Sequence, residues 1–390
     1  MFFFNLWFIF ETPMDVLFVT NFCTHFLVKP FEEVAQLGHV RFIFYSDGGE
    51  SYWETRNQLH GGKFEHRYLP GFYLGRNVRV TPSLIAEILT TRAHAIVLSL
   101  TGRFAIPVTY FLARIRRKPF ILWTGMWYHP QSFFHRLSWP LTLWIYRHSD
   151  ALLAYGEHVK RYLVEHGVPA EKVFLFWQSV DVEKMGRKTD PAKVAAYRSR
   201  WSPDGSPIIL FVGRLDPVKS IPTLIAAYAK LKAKTPCRLV IVGKGPEKEN
   251  LVRLASASGA DIIFEDFIPN PELPEVYAAA DVFCLPSESL PTVKEAWGLV
   301  LNEAMLQGCV PVASDAVGAA VGGLFFGELE SLVFPERDAD ALANKLGSAI
   351  EYSARPDLRE KIREKARFFS PANQARGLAE AYRYVTRERN

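Results

Sequence analysis

Glu295 and Glu303 stand eight positions apart, with Gly298 between them, in Glu295-Ala296-Trp297-Gly298-Leu299-Val300-Leu301-Asn302-Glu303. We read Gly298 as the loop just ahead of a helix that starts near Leu299. The free N–H groups of Leu299 and Val300 would then form an anion site at a helix N-terminus. Glu303 is expected on the first turn of that helix and Glu295 on the preceding loop. One carboxylate can accept two hydroxyls of a ribose, and the other the hydroxyls of a sugar. Acidic residues near a helix start can also be simple dipole partners. A second pair is cationic. In Val212-Gly213-Arg214-Leu215-Asp216-Pro217-Val218-Lys219-Ser220, a strand ends at glycine and Arg214 and Lys219 follow five residues apart. A diphosphate needs such a device: a backbone that can be approached closely at Gly213, and two cations to balance the negative charge. Surface loops often carry Arg and Lys as well, so it is the two motifs together that point to one phosphate-and-hydroxyl crevice.

The elements that must hold these residues are legible as alternating strands and helices. Asp15–Thr20, Arg41–Tyr45, Ala95–Ser99, Phe120–Trp123 and Ala151–Ala154 are short apolar runs, separated by amphipathic stretches. Strands apolar on both faces and separated by helices predict a parallel sheet covered on both sides. The pattern breaks over the polar, proline-bearing stretch Val182–Ser206. It restarts at Ile208–Val212, Arg238–Val242, Ile262–Phe264, Val282–Leu285 and Val310–Ala313. The expected fold class is therefore α/β, with two open doubly wound units in tandem. We expect an N-terminal domain over 14–188, a second over 189–370 that holds both charged motifs, and a helix over 371–390 packing back on the first. Ligands of such sheets bind at the carboxyl ends of the strands, so the expected site is the cleft between the two units. All ten histidines lie at or before His166, so chemistry in the second unit must rest on carboxylates, cations and backbone.

Composition narrows the function further. The chain has 390 residues, too many for one core, with 49% apolar and 22% charged residues as in ordinary globular proteins. The net charge of +5 comes with no basic, aromatic-interleaved nucleic-acid module, so no nucleic-acid partner is expected; an anionic substrate or membrane surface suits it. Cys23, Cys237, Cys284 and Cys309 form no C-x-x-C pair, which suggests neither zinc nor a disulfide framework and fits a reduced cytosolic compartment. The opening MFFFNLWFIF is far short of the roughly 20 apolar residues of a spanning helix. It is either an interfacial anchor, or a mis-assigned start ahead of a natural Met14. No transmembrane helix is expected elsewhere.

These motifs resemble glycosyltransferase family 4, retaining enzymes of the two-Rossmann GT-B architecture. FVGRLDPVKSIPTLIAAYAKL is similar to the family's phosphate-binding strand, loop and helix, VIVGKGPEKENL to its next strand and turn, and EAWGLVLNEAMLQGCVPVASDAVG to its E-x7-E region. ESLVFPERDADALANKL resembles its late glycine-leucine-valine turn, with Glu330-Ser331 where Asn-Gly is usual. The resemblance is strong over 205–350 and looser over 14–185. It implies Arg214 and Lys219 on the donor diphosphate, Glu303 on the ribose and Glu295 on the donor sugar. Three departures stand out: Asn21–Phe26 lacks the family's Gly-Gly, Ser220 stands where a glycine usually follows the lysine, and Gln178-Ser179-Val180-Asp181 replaces Asn-Gly-Val-Asp. The family places a histidine just after a strand of the first domain. His129 fills that place here, with His25 as the runner-up.

The implied activity is retaining, metal-independent transfer of a sugar from a nucleoside-diphosphate sugar to a hydroxyl, in polysaccharide or glycolipid synthesis. No cofactor or metal is expected, since no Asp-x-Asp stands in a fitting loop. Rival readings are a sugar-nucleotide epimerase of the same fold and a degenerate member that binds without turnover. Residues 103–148 combine aromatics with Arg114, Arg116, Arg117 and Lys118, which suits a lipid-linked acceptor and peripheral membrane contact. Buried aromatics of ordinary domain helices would give the same composition. The expected location is cytoplasmic, with peripheral attachment to the inner face of the plasma membrane.

Overall fold

The computed structural model describes residues 13–48, 61–75 and 78–387. The leader MFFFNLWFIF, and with it the choice between an anchor and a mis-assigned start, lies outside the described residues.

Among the described residues, nine strands form in the first half: β1 (Met14–Thr20), β2 (Gly38–Phe44), β3 (His66–Tyr68), β4 (Phe72–Leu74), β5 (Val78–Val80), β6 (Ala95–Ser99), β7 (Phe120–Thr124), β8 (Ala151–Ala154) and β9 (Val173–Leu175). Seven of them make one sheet in the order β3-β2-β1-β6-β7-β8-β9, and β4 and β5 pair as a separate antiparallel ribbon. Every pairing in the large sheet is parallel, and Val16, Leu17, Phe18 and Val19 of β1 register against Ala95, Ile96, Val97 and Leu98 of β6. Alternate side chains of β1 feed different cores. Val16 and Phe18 pack with Phe31, Phe42 and Trp123, whereas Leu17 and Val19 pack with Leu84, Tyr110 and Tyr146. This two-sided burial is why the strands lack a polar face.

The second half carries β10 (Ile208–Val212), β11 (Arg238–Val242), β12 (Ile262–Glu265), β13 (Val282–Leu285), β14 (Val310–Ser314) and β15 (Val333–Phe334), ordered β12-β11-β10-β13-β14-β15 and again parallel throughout. In both sheets the strand order reverses beside the first strand, at β1/β6 and β10/β13. That is the switch point at which open α/β sheets present a crevice.

The polar stretch before β10 is not a bare linker. Pro191–Trp201 is a helix whose N-terminus is capped by Asp190, with proline at its first position and Trp201 buried at its end. Its composition hid it, because the helix buries little more than that one ring and docks partly through charge, as Arg198 does on the buried Asp281 at 3.1 Å. At the C-terminus, the helix Pro371–Arg387 buries Ala375, Leu378, Ala379, Tyr382 and Val385 against the core below β1. The N–H of Asp15 donates to the Tyr382 hydroxyl at 3.3 Å, and Ser179 donates to Gln374 at 2.6 Å. No described helix is long and apolar enough to cross a membrane.

Candidate active site

The cationic loop leaves β10 at Gly213 and is stitched to the neighbouring loop. Gly213 N–H donates to Val242 O at 3.1 Å, Leu215 N–H to Lys244 O at 2.9 Å, and Glu247 N–H back to Leu215 O at 3.1 Å. The two loops approach so closely that a Cβ on Gly243, at φ +150°, would lie 1.9 Å from Gly213 O. A one-turn 3-10 segment, Pro217–Lys219, then leads into the helix Ile221–Lys232 through Ser220, held at φ 47°, ψ 41°. A left-handed position favours glycine, so serine here carries a conformational cost of about 1 kcal/mol.

The Lys219 ammonium meets the Glu295 carboxylate, and Ser287 Oγ donates to the same carboxylate oxygen at 3.1 Å. The two paired side chains are each 18% exposed, sheltered but open to a ligand. Residues 76 positions apart thus meet because β10 and β13 are adjacent strands. Arg214 is more open and pairs through Nε with Asp216 at 2.8 Å.

The helix after β13 begins at Leu299, behind Gly298 at φ +101°. A Cβ there would lie 2.7 Å from Leu285 Cδ2 and 3.2 Å from Val317 Cγ1, so both backbone shape and packing demand glycine. The amides of Leu299 and Val300 head the helix and have no acceptor within it. Glu303 is the fifth residue of this helix and so sits on its second turn rather than its first. It accepts a hydrogen bond from the Tyr277 hydroxyl at 2.7 Å. Burial pushes the Glu303 carboxyl up to about 7, against the pull of that hydroxyl and of the more distant Lys184.

Across the cleft, the loops after β7 and β8 grip the Glu295 segment. Trp127 Nε1–H donates to Glu295 O at 3.2 Å, and the Lys294 ammonium stands 3.6 Å from the centre of the Trp127 ring. His158 Nε2 bonds Ala296 O at 3.0 Å, Glu157 N–H donates to Gly322 O at 3.1 Å, and Gln131 N–H donates to Pro291 O at 2.8 Å. A carbonyl only accepts, so His158 carries its proton on Nε2. Burial holds its pKa down at about 4, and the imidazole is neutral at ordinary pH.

His129 lies elsewhere on that loop. Its ring packs 4.3 Å from that of Trp139 and 6.4 Å from that of His135, neither ring nitrogen meets a hydrogen-bond partner, and burial lowers its pKa. The ring that reaches the Glu295 loop is His158, four residues beyond the end of β8. The same cue that singled out His129, a histidine soon after a strand, also flags His158. Tyr277 and Ser287 carry no such cue. All four cysteines are buried and none forms a disulfide.

Two family models cover most of the chain: "Glycosyltransferase Family 4" matches residues 31–184 and "Glycosyl transferases group 1" matches residues 195–368. The chain is 34% identical over 183 residues to a GDP-mannose-dependent alpha-mannosyltransferase of Mycobacterium tuberculosis, covering 47% of this chain and 44% of that protein. It is 32% identical over 247 residues to a D-inositol 3-phosphate glycosyltransferase of Corynebacterium glutamicum, covering 60% and 57%. The chain thus spans only about half of the length of these curated relatives. Among solved structures, Anabaena HepE in complex with UDP superposes with a TM-score of 0.71 at 19% identity, covering 94% of this chain and 99% of that one. A sucrose-phosphate synthase from Thermosynechococcus elongatus gives 0.68 at 19% identity over 96% and 100%. At such identities the likeness shows the fold, two facing parallel-sheet units.

Proposed function

Because the chain belongs to glycosyltransferase family 4, we propose that it moves a glycosyl group from a nucleoside-diphosphate sugar to a hydroxyl, with retention, in polysaccharide or glycolipid synthesis. The observation that carries this reading is the Lys219–Glu295 pair at the switch point of the second sheet, beside the Leu299 helix end. A donor diphosphate would take Lys219 from Glu295 and free that carboxylate for hydroxyls of the donor sugar. Arg214 and the amides of Leu299 and Val300 complete the anion site, and Glu303 accepts from the ribose. The resemblance makes His129 the candidate to touch the transferring sugar, although its ring nitrogens are buried against Trp139 and His135 and would have to be uncovered first.

As the anomeric C–O bond breaks, its electron pair goes to the leaving diphosphate. Fixed donors aimed at charge as it develops lower the barrier. The acceptor oxygen then bonds the anomeric carbon from the same face, and its proton passes to the departing phosphate oxygen. With two cations and a helix end in place, we propose that no metal is required. The proposed setting is the cytoplasmic face of a membrane, in peripheral contact.

Two measurements follow. The first is nucleoside-diphosphate release from a panel of nucleotide sugars, with a membrane lipid extract or simple glycosides as acceptors and with EDTA present. The expected result is acceptor-dependent release insensitive to EDTA. Epimerised donor without release would indicate the epimerase reading, and no turnover a binding protein. The second is the pH dependence of diphosphate affinity. Glu303 accepts ligand hydroxyls best as a carboxylate, so with its ionisation near 7 affinity should rise severalfold from pH 6 to pH 8. Tyr277→Phe removes a hydrogen bond to the charged form and should move that midpoint upward. Calorimetry across this range checks both, and a flat profile would remove Glu303 from the site. Stability runs the other way. The folded chain holds this proton more tightly than the unfolded one, so the contribution is complete below about pH 4.5 and is lost as pH rises through about 7.

A further inference from the structure

We propose that the N-terminal half docks on an anionic lipid bilayer through the outward face of the helix Phe133–His148, and that the acceptor hydroxyl reaches the cleft on a lipid-linked molecule from that bilayer. This rests on the transferase reading for its acceptor part and stands without it for the docking part.

Of this 16-residue helix, only Ile145 and Tyr146 are buried. Phe133 and Leu137 are 74% and 71% exposed, and Leu141 and Trp144 continue the row. The spacings of four, four and three residues put these side chains on one stripe. The helix Ala105–Ile115 widens it, because Phe111 stacks on Trp144 at 5.9 Å and 23° while Ile115 projects beside it at 71% exposure. A row of large apolar side chains in water marks a surface that something covers.

Charge says what covers it. Between Glu87 and Asp150 there is no Asp or Glu, while Arg92, Arg103, Arg114, Arg116, Arg117, Lys118, Arg136 and Arg147 supply eight cations, of which Arg114 is paired with Asp150 at 2.9 Å. The whole chain is +5, so the remainder carries 5 − 8 = −3, and the basic character of the protein is concentrated on this segment. The Arg103 guanidinium lies 4.7 Å from the centre of the exposed Phe134 ring, a cation seated against an apolar side chain as at a bilayer interface. A second copy of the chain would bring like charge to like charge. An anionic bilayer meets both the apolar row and the cations.

The placement ties this face to the site. The helix starts beside Gln131, whose N–H donates to Pro291 O of the opposite half, so Phe133 stands at the cleft rim. Headgroups under Phe133 and Phe134 therefore lie at the mouth of the cleft that holds Glu295.

The test is flotation of the full chain with phosphatidylcholine vesicles with and without about one-third phosphatidylglycerol. Binding to the anionic vesicles, weakened more than tenfold by raised salt and by Phe133→Glu/Leu137→Glu, is expected. That variant should keep the wild-type thermal shift with nucleoside diphosphates, which reports an intact fold and donor site. Equal binding to neutral vesicles, no binding, or a variant that binds like wild type overturns the docking proposal. So does self-association that the variant dissolves without any vesicle binding. With vesicles of total membrane lipid and a labelled nucleotide sugar, label should enter the chloroform-extractable fraction and fall more than tenfold in the variant. Vesicle binding with label entering only water-soluble acceptors overturns the lipid-linked acceptor, and vesicle binding with no turnover of any acceptor overturns the transferase reading while leaving the docking face in place.

Discussion

Lys219→Ala should lower kcat/KM for donor turnover by roughly 10²–10³-fold, about 2–4 kcal/mol of transition-state stabilisation, as loss of a single electrostatic donor does. The fold should survive. Lys219 closes a one-turn 3-10 segment, its ammonium is not in a core, and its partner Glu295 keeps the Ser287 hydroxyl and partial contact with solvent. A purely structural role makes a different forecast. If Lys219 serves only to neutralise Glu295, removing both charges together should restore activity. If it serves the diphosphate, Lys219→Ala/Glu295→Ala should be at least as impaired as the single variant, and diphosphate affinity should fall with Lys219 alone. Steady-state kinetics on the three proteins, with melting curves to establish folding, separate these accounts.

The second large effect is expected from Gly298→Val. The residue sits at φ +101°, where a β-branched side chain is strained, and the new Cβ would lie 2.7 Å from Leu285 Cδ2. Strain and overpacking together should cost on the order of 2–4 kcal/mol of stability. The relief available is to move the start of the helix, which carries the Leu299 and Val300 amides and Glu303 with it. Turnover should therefore fall by at least about 100-fold even where the protein remains folded, since small misplacements of a positioned site are costly. Gly298→Ala, with the same φ but less bulk, should fall between. Urea melts with kinetics below the melting transition measure the two effects separately, and wild-type turnover in a folded Gly298→Val would show that this helix end does not hold the substrate.

The α/β class with two parallel sheets was legible because β1, β6, β7, β10, β11 and β13 are buried on both faces and cannot show a polar alternation. The helix Pro191–Trp201 was not, because a helix that buries little beyond one Trp leaves no apolar stripe to read. The same limit applies to the site. The spacing of Glu295, Gly298 and Glu303 reflects one local segment, and local segments can be read. Their partners are non-local: Tyr277 reaches Glu303 from another helix, Ser287 reaches Glu295 from the end of β13, and Trp127 and His158 reach the Glu295–Ala296 peptide from the other half of the chain. Such contacts depend on how two sheets face each other, which no periodicity encodes. Ser220 teaches a smaller lesson. Its departure from glycine looks conservative by residue type, and only the backbone angle shows that it occupies a left-handed position.

We propose that the second sheet holds a nucleoside diphosphate between Arg214, Lys219 and the Leu299 helix end. The most direct measurement is a thermal-shift screen of the full chain against UDP, GDP, ADP, dTDP and CMP, with and without magnesium. A ligand bound only by the folded chain raises its melting temperature by mass action. One nucleoside diphosphate that stabilises the wild type without metal, and fails to stabilise Lys219→Ala, is the predicted result. No shift with any of them, or an equal shift in Lys219→Ala, would contradict it.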